Sequence, residues 1–447
     1  MESTPFPLQV DLTNCDREPI HLLGHTQSFG CFLALRSDWL VAYCSSNTAD
    51  FFGTEPDEMV GLPAREWFDR DTLHHIRSAL QSSMITGRNE RLFVQPVQRG
   101  KAHVDISVHH NGEFIILEFE HAHLGNGNKE HFVRSLLTQF YHAKDSDELI
   151  QMVTQQLQLI TGYDRVMLYK FLPDGSGEVV AEAKDPDLEP FLGLRYPASD
   201  IPKQARQLYE KNLLRVIGDV NDEVNPILPA SKSLEGQLDL SFSTLRAVSP
   251  IHIEYLRNMG VKASLSVSVL QHGRLWGLIA CHHYEPKVPS YFQRTEMELF
   301  AEVFALELNA RLSQERDTEK NRVRDLHNQI MTTMGSDGAL IDIIERQIPM
   351  IRKLICCDGV SVIIDGQHVG AGQVLPQDML KKLTRYLNSQ APNQVVGIQS
   401  LSDVLDNYDT DSYKVAGIMA IPVSRSPRDY LIFNRLAQVQ TINWAGN

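Results

Sequence analysis

The stretch "SLSVSVLQHGRLWGLIACHH", residues 264–283, decides the fold. It reads as a β-hairpin whose first strand separates residue types. Leu265, Val267 and Val269 share one face and Ser264, Ser266 and Ser268 the other, because strand side chains alternate. A face of three serines is no apolar core wall; it meets water or lines a polar pocket. The adjacent His282 and His283 point to opposite faces, which argues against a two-histidine metal site.

Upstream, "RAVSPIHIEYLRNMG" (246–260) starts a helix, with Ser249 as its cap and Pro250 at its first position. His252 and Tyr255, three apart, share one helix face. With Leu256 and Met259 they form an apolar wall with polar tips, although a lone His252 also fits a satisfied core position. "RYPASDIPKQARQLYEKNLLR" (195–215) sets Asp200 between Pro197 and Pro202, in a stiffened loop before a helix. The local pattern makes Asp200 an N-cap and places Tyr209 and Arg215 on the helix behind it. "DRVMLYKFLPDGSGEVVAEA" (164–183) is strand, Pro-Asp-Gly turn, strand.

Residues 1–20 form an irregular arm, and 21–120 are mixed α+β. There "HVDISVHHNGEFIILEFE" (103–120) alternates through Val104, Ile106 and Val108 and turns at Asn111-Gly112. "HLGNGNK" (123–129) is a domain joint, followed by a helix over roughly 130–160. From 290 a long helix begins, with Ser290 and Gln293 as a capping box. Leu299, Val303, Leu306 and Ala310 mark one stripe; Val323, Leu326 and Ile330 mark another. Between them "SQERDTEKNR" (313–322) is polar all round, as a solvent-bridging span would be. A helix over 299–330 covers ~47 Å: a spine between domains or a parallel dimer seam, the alternative being two shorter kinked helices. Beyond 338 lies a smaller α/β unit. "GVSVIIDGQHVGAG" (359–372) is a hairpin, 378–388 a helix, and 415–424 and 428–435 strands, an order that echoes the middle region. "VQTINWAGN" (439–447) carries no helix or strand signal.

The 447 residues suit about three domains. Net charge is −14, from 42 basic and 56 acidic residues, which excludes nucleic acid or an anionic membrane as main partner. No run of about 18 apolar residues spans a membrane, and the start has no signal-peptide character. Six scattered cysteines give neither a disulfide scaffold nor C-x-x-C zinc spacing. They point to a reducing cytoplasm. Cys31 and Cys44 read as strand residues, and Cys356-Cys357 as an apolar helix end running into a strand. There is no G-x-S-x-G, H-E-x-x-H, P-loop or G-x-G-x-x-G, so the chain is not read as an enzyme. Arginines, serines, tyrosines, a histidine and a carboxylate cluster instead between 195 and 283. They suit a large, flat, mostly apolar ligand bearing a pair of carboxylates.

"LTNCDREPIH" (12–21), "RYPASDIP" (195–202), "SPIHIEYLRNMG" (249–260), "LWGLIACHH" (275–283) and "VQTINWAGN" (439–447) closely resemble the photosensory module of bacterial phytochromes, in the family's order. The resemblance implies an α+β protein of three domains, PAS, GAF and an incomplete GAF-like PHY, with mostly antiparallel sheets. It gives the arm at 1–20, PAS at 21–125, GAF at 126–312, the connecting helix at 290–336 and PHY at 337–447. It also implies a knot, the arm threading through the 219–240 loop.

The implied function is a red/far-red photoreceptor carrying biliverdin IXα, a linear tetrapyrrole, thioether-linked to Cys15. Plant and cyanobacterial relatives attach their pigment just after the helix histidine, where this chain has Ile253. Matching positions imply further roles. Asp200, with Ile201 and Pro202, and His252 lie at the pyrrole nitrogens. Arg215, Arg246 and Tyr209 bind one propionate, and Ser264 and Ser266 the other. His282 meets the ring-D carbonyl, and Tyr169, Tyr196 and Tyr255 pack around ring D. The implied partners are a second copy, through GAF and long-helix surfaces, and an output domain of histidine kinase or diguanylate cyclase type. "FNRLAQ" (433–438) lacks the family's arginine–proline–glutamate run, and the returning P-R-x-S-F-type segment is absent. A truncated chain whose far-red state is poorly held, with Asp200 lacking its arginine, is therefore expected. Rival readings are a haem-binding GAF sensor and an unpigmented PAS/GAF dimerisation scaffold.

Overall fold

A computed structural model of the chain describes residues 17–98, 103–123, 140, 142–229, 237–333, 340–391, 394–424, 428–438 and 443–445. Two compact units emerge, Met1–Leu312 with Ile442–Asn447, and Ser313–Thr441. Most of the 123–129 joint, the first part of the helix expected over 130–160, and Cys15 lie outside the described residues.

The first region contributes strands β1 (His25–Gln27), β2 (Cys31–Leu35), β3 (Val41–Ser45), β4 (Glu90–Pro96), β5 (His103–His110) and β6 (Ile115–His121). Alternation sends Val104, Ile106, Val108, Leu117 and Phe119 into one core with Cys31, Cys44 and Trp67. Helix Arg70–Thr86 covers that face. Asp69 caps it, accepting from Thr72 N at 2.7 Å, and Gly87 ends it in the left-handed region at φ 68°. On the opposite face Asp105, Ser107, His109, Glu118 and Glu120 are all buried, whereas alternation alone would leave them to water. They sit beneath two later pieces of chain. Glu118 accepts hydrogen bonds from the 243–245 segment, and Glu120 forms a buried ion pair with Arg294 of the long helix.

The middle region supplies β7 (Arg165–Phe171), β8 (Gly177–Lys184), β9 (Arg195–Tyr196), β10 (Leu214–Ile217), β11 (Val224–Leu228), β12 (Ala263–Gln271) and β13 (Arg274–His283). Its antiparallel sheet runs β10-β12-β13-β7-β8-β9. Leu265, Val267 and Val269 pack with Val166, Leu168, Phe300 and Phe304. Strand β11 leaves this sheet and enters the first, whose order is β1-β11-β3-β2-β6-β5-β4. The insertion at 219–240 thus donates a strand to its neighbour, which its sequence did not announce. The threading expected of it involves residues 1–16 and 230–236, outside the described residues. Arg215 is not on the helix after Asp200. That helix, Lys203–Lys211, stops at Asn212, and Arg215 lies on β10 directly opposite Ser266.

The long helix is one continuous run of helical residues, Tyr291–Thr333, 43 residues, rather than two helices separated by a break. Its capping box is formed: Ser290 N donates to Gln293 Oε1 at 3.0 Å, and Gln293 N to Ser290 Oγ at 3.2 Å. Met297, Phe300, Ala301, Phe304 and Leu308 face the core; of the stripe marked by sequence, Val303 packs against that core while Leu299 is 52% and Leu306 70% exposed. Both stripes have helical spacing, and the aromatic one fills the core. Residues 313–322 are all exposed.

In the second unit β14 (Gly359–Ile364), β15 (Gln367–Gly372), β16 (Val396–Ile398), β17 (Val415–Pro422) and β18 (Tyr430–Leu436) form the order β15-β14-β18-β17-β16. This matches β8-β7-β13-β12-β10 strand for strand, the echo expected from sequence. Helix Leu340–Ile351 ends before Cys356, which is exposed in the connection to β14 rather than at an apolar helix end.

Breaking the Glu120–Arg294 pair leaves a buried charge alone, which costs about 3–5 kcal/mol. Arg294→Met should lower the denaturant midpoint of the first unit accordingly, and adding Glu120→Gln should restore most of the loss.

Candidate functional site

Every described residue singled out by sequence lines one cavity of about 770 Å³: Tyr169, Tyr196, Asp200, Ile201, Pro202, Tyr209, Arg215, Arg246, His252, Tyr255, Ser264, Ser266 and His282. Its size and largely apolar lining suit a single sizeable organic ligand. The serine face of β12 is not solvated. Ser264 and Ser266 border the cavity, while Ser268 Oγ donates to Tyr209 O at 2.7 Å and holds the helix Lys203–Lys211 against the sheet. His282 and His283 diverge as strand geometry requires: His282 faces the cavity, and His283 Nδ1 lies 2.6 Å from Asp164 Oδ2 on the far side.

Asp200 does not cap the following helix; Pro202 occupies that position, with no side-chain cap. The loop is instead fixed by Arg206. Its Nε donates to Ile201 O at 2.7 Å, and its Nη2 to Gly175 O at 2.6 Å and Ala198 O at 3.1 Å. Asp200 makes no ion pair among the described residues, and burial pushes its carboxyl upward. Ser249 occupies its N-cap position but its side chain does not cap; its Oγ donates to Glu18 Oε2 at 2.5 Å. Glu18, three residues beyond Cys15, is thus drawn to the cavity wall.

The arginines define the electrostatics. Arg215 donates only to carbonyls, through Nη2 to Arg246 O at 2.5 Å and Ala247 O at 2.9 Å. Arg246 Nη1 reaches Ile20 O at 2.8 Å, and its Nε is buried without a partner. Neither has an ion pair among the described residues. Burial lowers both, Arg246 to about 10. Two desolvated guanidinium groups and an orphaned Nε suit an anionic ligand group. His282 Nδ1 is likewise buried and unpartnered. Burial, then the nearby arginine charges, lower His252 to about 4 and His282 to about 3, so both imidazoles are neutral near pH 7.

Tyr169 and Tyr196 meet at 5.7 Å between ring centroids, and His252 stacks beside Tyr255 at 6.1 Å. Gly177 makes room for Tyr169: a Cβ there would come within 1.9 Å of its ring. A second cavity, of about 990 Å³, shares Glu18, Ile217 and Val248 with the first and is bordered by Ile253. One contact behind the cavity's tyrosines was missed by sequence. Asn443 O accepts from Arg195 N at 2.9 Å, Ala445 N donates to Arg195 O at 2.8 Å, and Ala445 packs against the cluster holding Tyr169 and Tyr196. No periodicity marks so short a paired segment.

Three family descriptions match the chain in order: PAS fold over 15–122, GAF domain over 145–312 and Phytochrome region over 323–447. The chain is 33% identical to cyanobacterial phytochrome B of Nostoc, over 99% of this chain and 60% of that protein. It is 34% identical to a bacteriophytochrome of Pseudomonas aeruginosa, over 98% and 60%. The chain therefore spans about 60% of these relatives' length. Among solved structures, the wild-type phytochrome photosensory core module of Stigmatella aurantiaca superposes with a TM-score of 0.81 at 32% identity, covering 98% of this chain and 88% of that one. The chain belongs to the phytochrome family. It is a PAS–GAF–PHY photosensory module, and the cavity lies in the part of this phytochrome chain that matches the GAF domain. Among its described residues no helix is long and apolar enough to cross a membrane.

The two depressed histidines fix a pH dependence. Unfolded, both titrate near 6.5; folded, near 4 and 3. Between pH 6.5 and 4 the unfolded chain binds more protons, so their contribution is present above that window and lost as pH falls. The His252→Gln/His282→Gln protein without ligand should lose less thermal stability than the parent between pH 7 and 5, by scanning calorimetry.

Proposed function

We propose that the chain is the light-sensing part of a red/far-red photoreceptor, and that its cavity holds biliverdin IXα joined by a thioether to Cys15. The reading rests foremost on Arg215 and Arg246, which have no ion pair among the described residues and suit the propionates of an open-chain tetrapyrrole. Arg215, Arg246 and Tyr209 take one propionate, and Ser264 and Ser266 the second. His282, neutral and with a free ring nitrogen, is placed to bond the carbonyl of the terminal ring D. Tyr169, Tyr196 and Tyr255 surround that ring. Asp200, Ile201, Pro202 and His252 border the inner pyrroles, where Asp200 and His252 steady a cationic pigment.

When bound, the bilin supplies light absorption and a double bond whose geometry light changes. The chain's own residues orient it, exclude water and exchange hydrogen-bond partners as ring D changes its angle. The second cavity, bordered by Ile253 and Glu18, is the approach for the arm bearing Cys15. The segment over 443–445, paired to Arg195 beside Tyr196, is placed to sense a change at ring D, and the 43-residue helix to carry it onward. The exposed Leu299 and Leu306 suit a seam with a second copy. In this reading 1–20 is the attaching arm, 21–125, 126–312 and 337–447 are the three domains joined by the helix at 290–336, and an output domain of histidine kinase or diguanylate cyclase type lies elsewhere in the whole protein.

Mixing the protein with biliverdin, denaturing it and recording zinc fluorescence tests this. Parent protein should keep covalent pigment, and Cys15→Ser should lose it while retaining noncovalent colour. A colourless mixture, a haem Soret spectrum, or covalent pigment retained by denatured Cys15→Ser would overturn the reading. Arg246→Ala should weaken noncovalent binding about tenfold or more, the worth of a charge-assisted carboxylate contact, measured by titration in the Cys15→Ser background.

A further inference from the structure

The arginine pair is held in place by the first region of the chain as well as by the middle one. Glu118 lies on β6 and is 2% exposed. Its carboxylate accepts from Ser243 Oγ, from Leu245 N at 2.7 Å and from Thr244 N at 3.1 Å. These donors belong to the strap over 243–247, which has no helix and no ladder of its own. On its other edge the strap meets β1: Gln27 N donates to Leu245 O at 2.8 Å, and Ala247 N to His25 O at 3.0 Å. The strap's carbonyls then receive Arg215, through Thr244 O at 3.4 Å, Arg246 O at 2.5 Å and Ala247 O at 2.9 Å. Arg246 itself is a strap residue. A chain of direct hydrogen bonds therefore runs from Glu118 through the strap backbone to both cavity arginines.

The chemistry of that link is specific. A carboxylate accepting three donors fixes the direction of each, and reversing one donor breaks the match. Arg215 has no side-chain partner to aim it, so the strap carbonyls alone set its fork among the described residues. Burial pushes the Glu118 carboxyl upward while its three donors oppose that shift, and when ionised it favours the charged forms of both guanidinium groups.

We propose that Glu118 is a positioning residue for carboxylate recognition: by clamping the 243–247 strap it aims Arg215 and Arg246 into the cavity, so that the first region of the chain sets the cavity's affinity for anionic ligand groups. The inference rests on the reading that ligand carboxylates meet these arginines. It adds that their grip depends on a side chain outside the middle domain, with no contact to the ligand.

Two ligands that differ only in their carboxylates test it. Biliverdin carries two propionates, and biliverdin dimethyl ester has both neutralised. Equilibrium binding of each is measured by absorbance titration in the Cys15→Ser background, so that attachment does not mask affinity. The parent should prefer biliverdin. Glu118→Gln, which turns one acceptor into a donor, should weaken biliverdin about tenfold and leave the ester within about twofold. Ser243→Ala, which removes one clamp contact and leaves the first region untouched, should shift biliverdin in the same direction by less. It carries the comparison if Glu118→Gln does not fold. Equal weakening of both ligands would mean a merely structural role and overturn the proposal, as would no weakening of either. A parent that binds the two ligands equally would remove the carboxylate reading, and this inference with it.

Discussion

Two guanidinium groups at the wall of an apolar cavity, Arg246 buried and Arg215 half-buried, impose the central constraint on this molecule. A desolvated charge is tolerable only when something opposes it. Arg215 and Arg246 find carbonyl dipoles and the more distant carboxylates of Glu118, Asp239 and Glu18, but no ion pair among the described residues. The rest of the site arranges itself around that imbalance. The serine face of β12 adds weak polarity beside Arg215, histidines are kept neutral, and aromatic rings enclose the remainder. Such an environment suits an extended apolar molecule with charged arms better than a wholly neutral one of the same shape.

Much of this was legible in the chain. The alternation in 264–269 separated core from cavity because a strand has only two faces, and the same rule sent His282 and His283 apart. The capping box at Ser290 and Gln293 needed only local chemistry. The motifs around Asp200, His252 and His282 were correctly grouped although they lie on a loop, a helix and a strand. The failures arose where the local pattern allowed more than one reading. Arg215 was assigned to a helix because nothing local reveals that Asn212 ends it and β10 begins. Asp200 was read as a cap, though the proline two residues later takes that position. The exposed stripe at Leu299 and Leu306 has the same spacing as the buried aromatic one, so period alone could not choose.

The polar face of the first sheet is the clearest such case. Asp105, Ser107, His109, Glu118 and Glu120 alternate with core residues as a solvated face would. They are buried because a loop and a helix from more than a hundred residues later lie over them. Gly177 makes a related point at small scale, since its missing side chain is where Tyr169 stands.

Strand β11 gives the molecule a property that neither region has alone. Because the middle region supplies a strand between β1 and β3, the first sheet is complete only after the insertion has been synthesised and has closed upon it. The two regions are therefore a single inheritance unit. A chimera that takes one from each of two relatives must bring matching edges as well as matching folds, and recombination between them should be purged unless the crossover keeps both halves of that shared sheet from one parent.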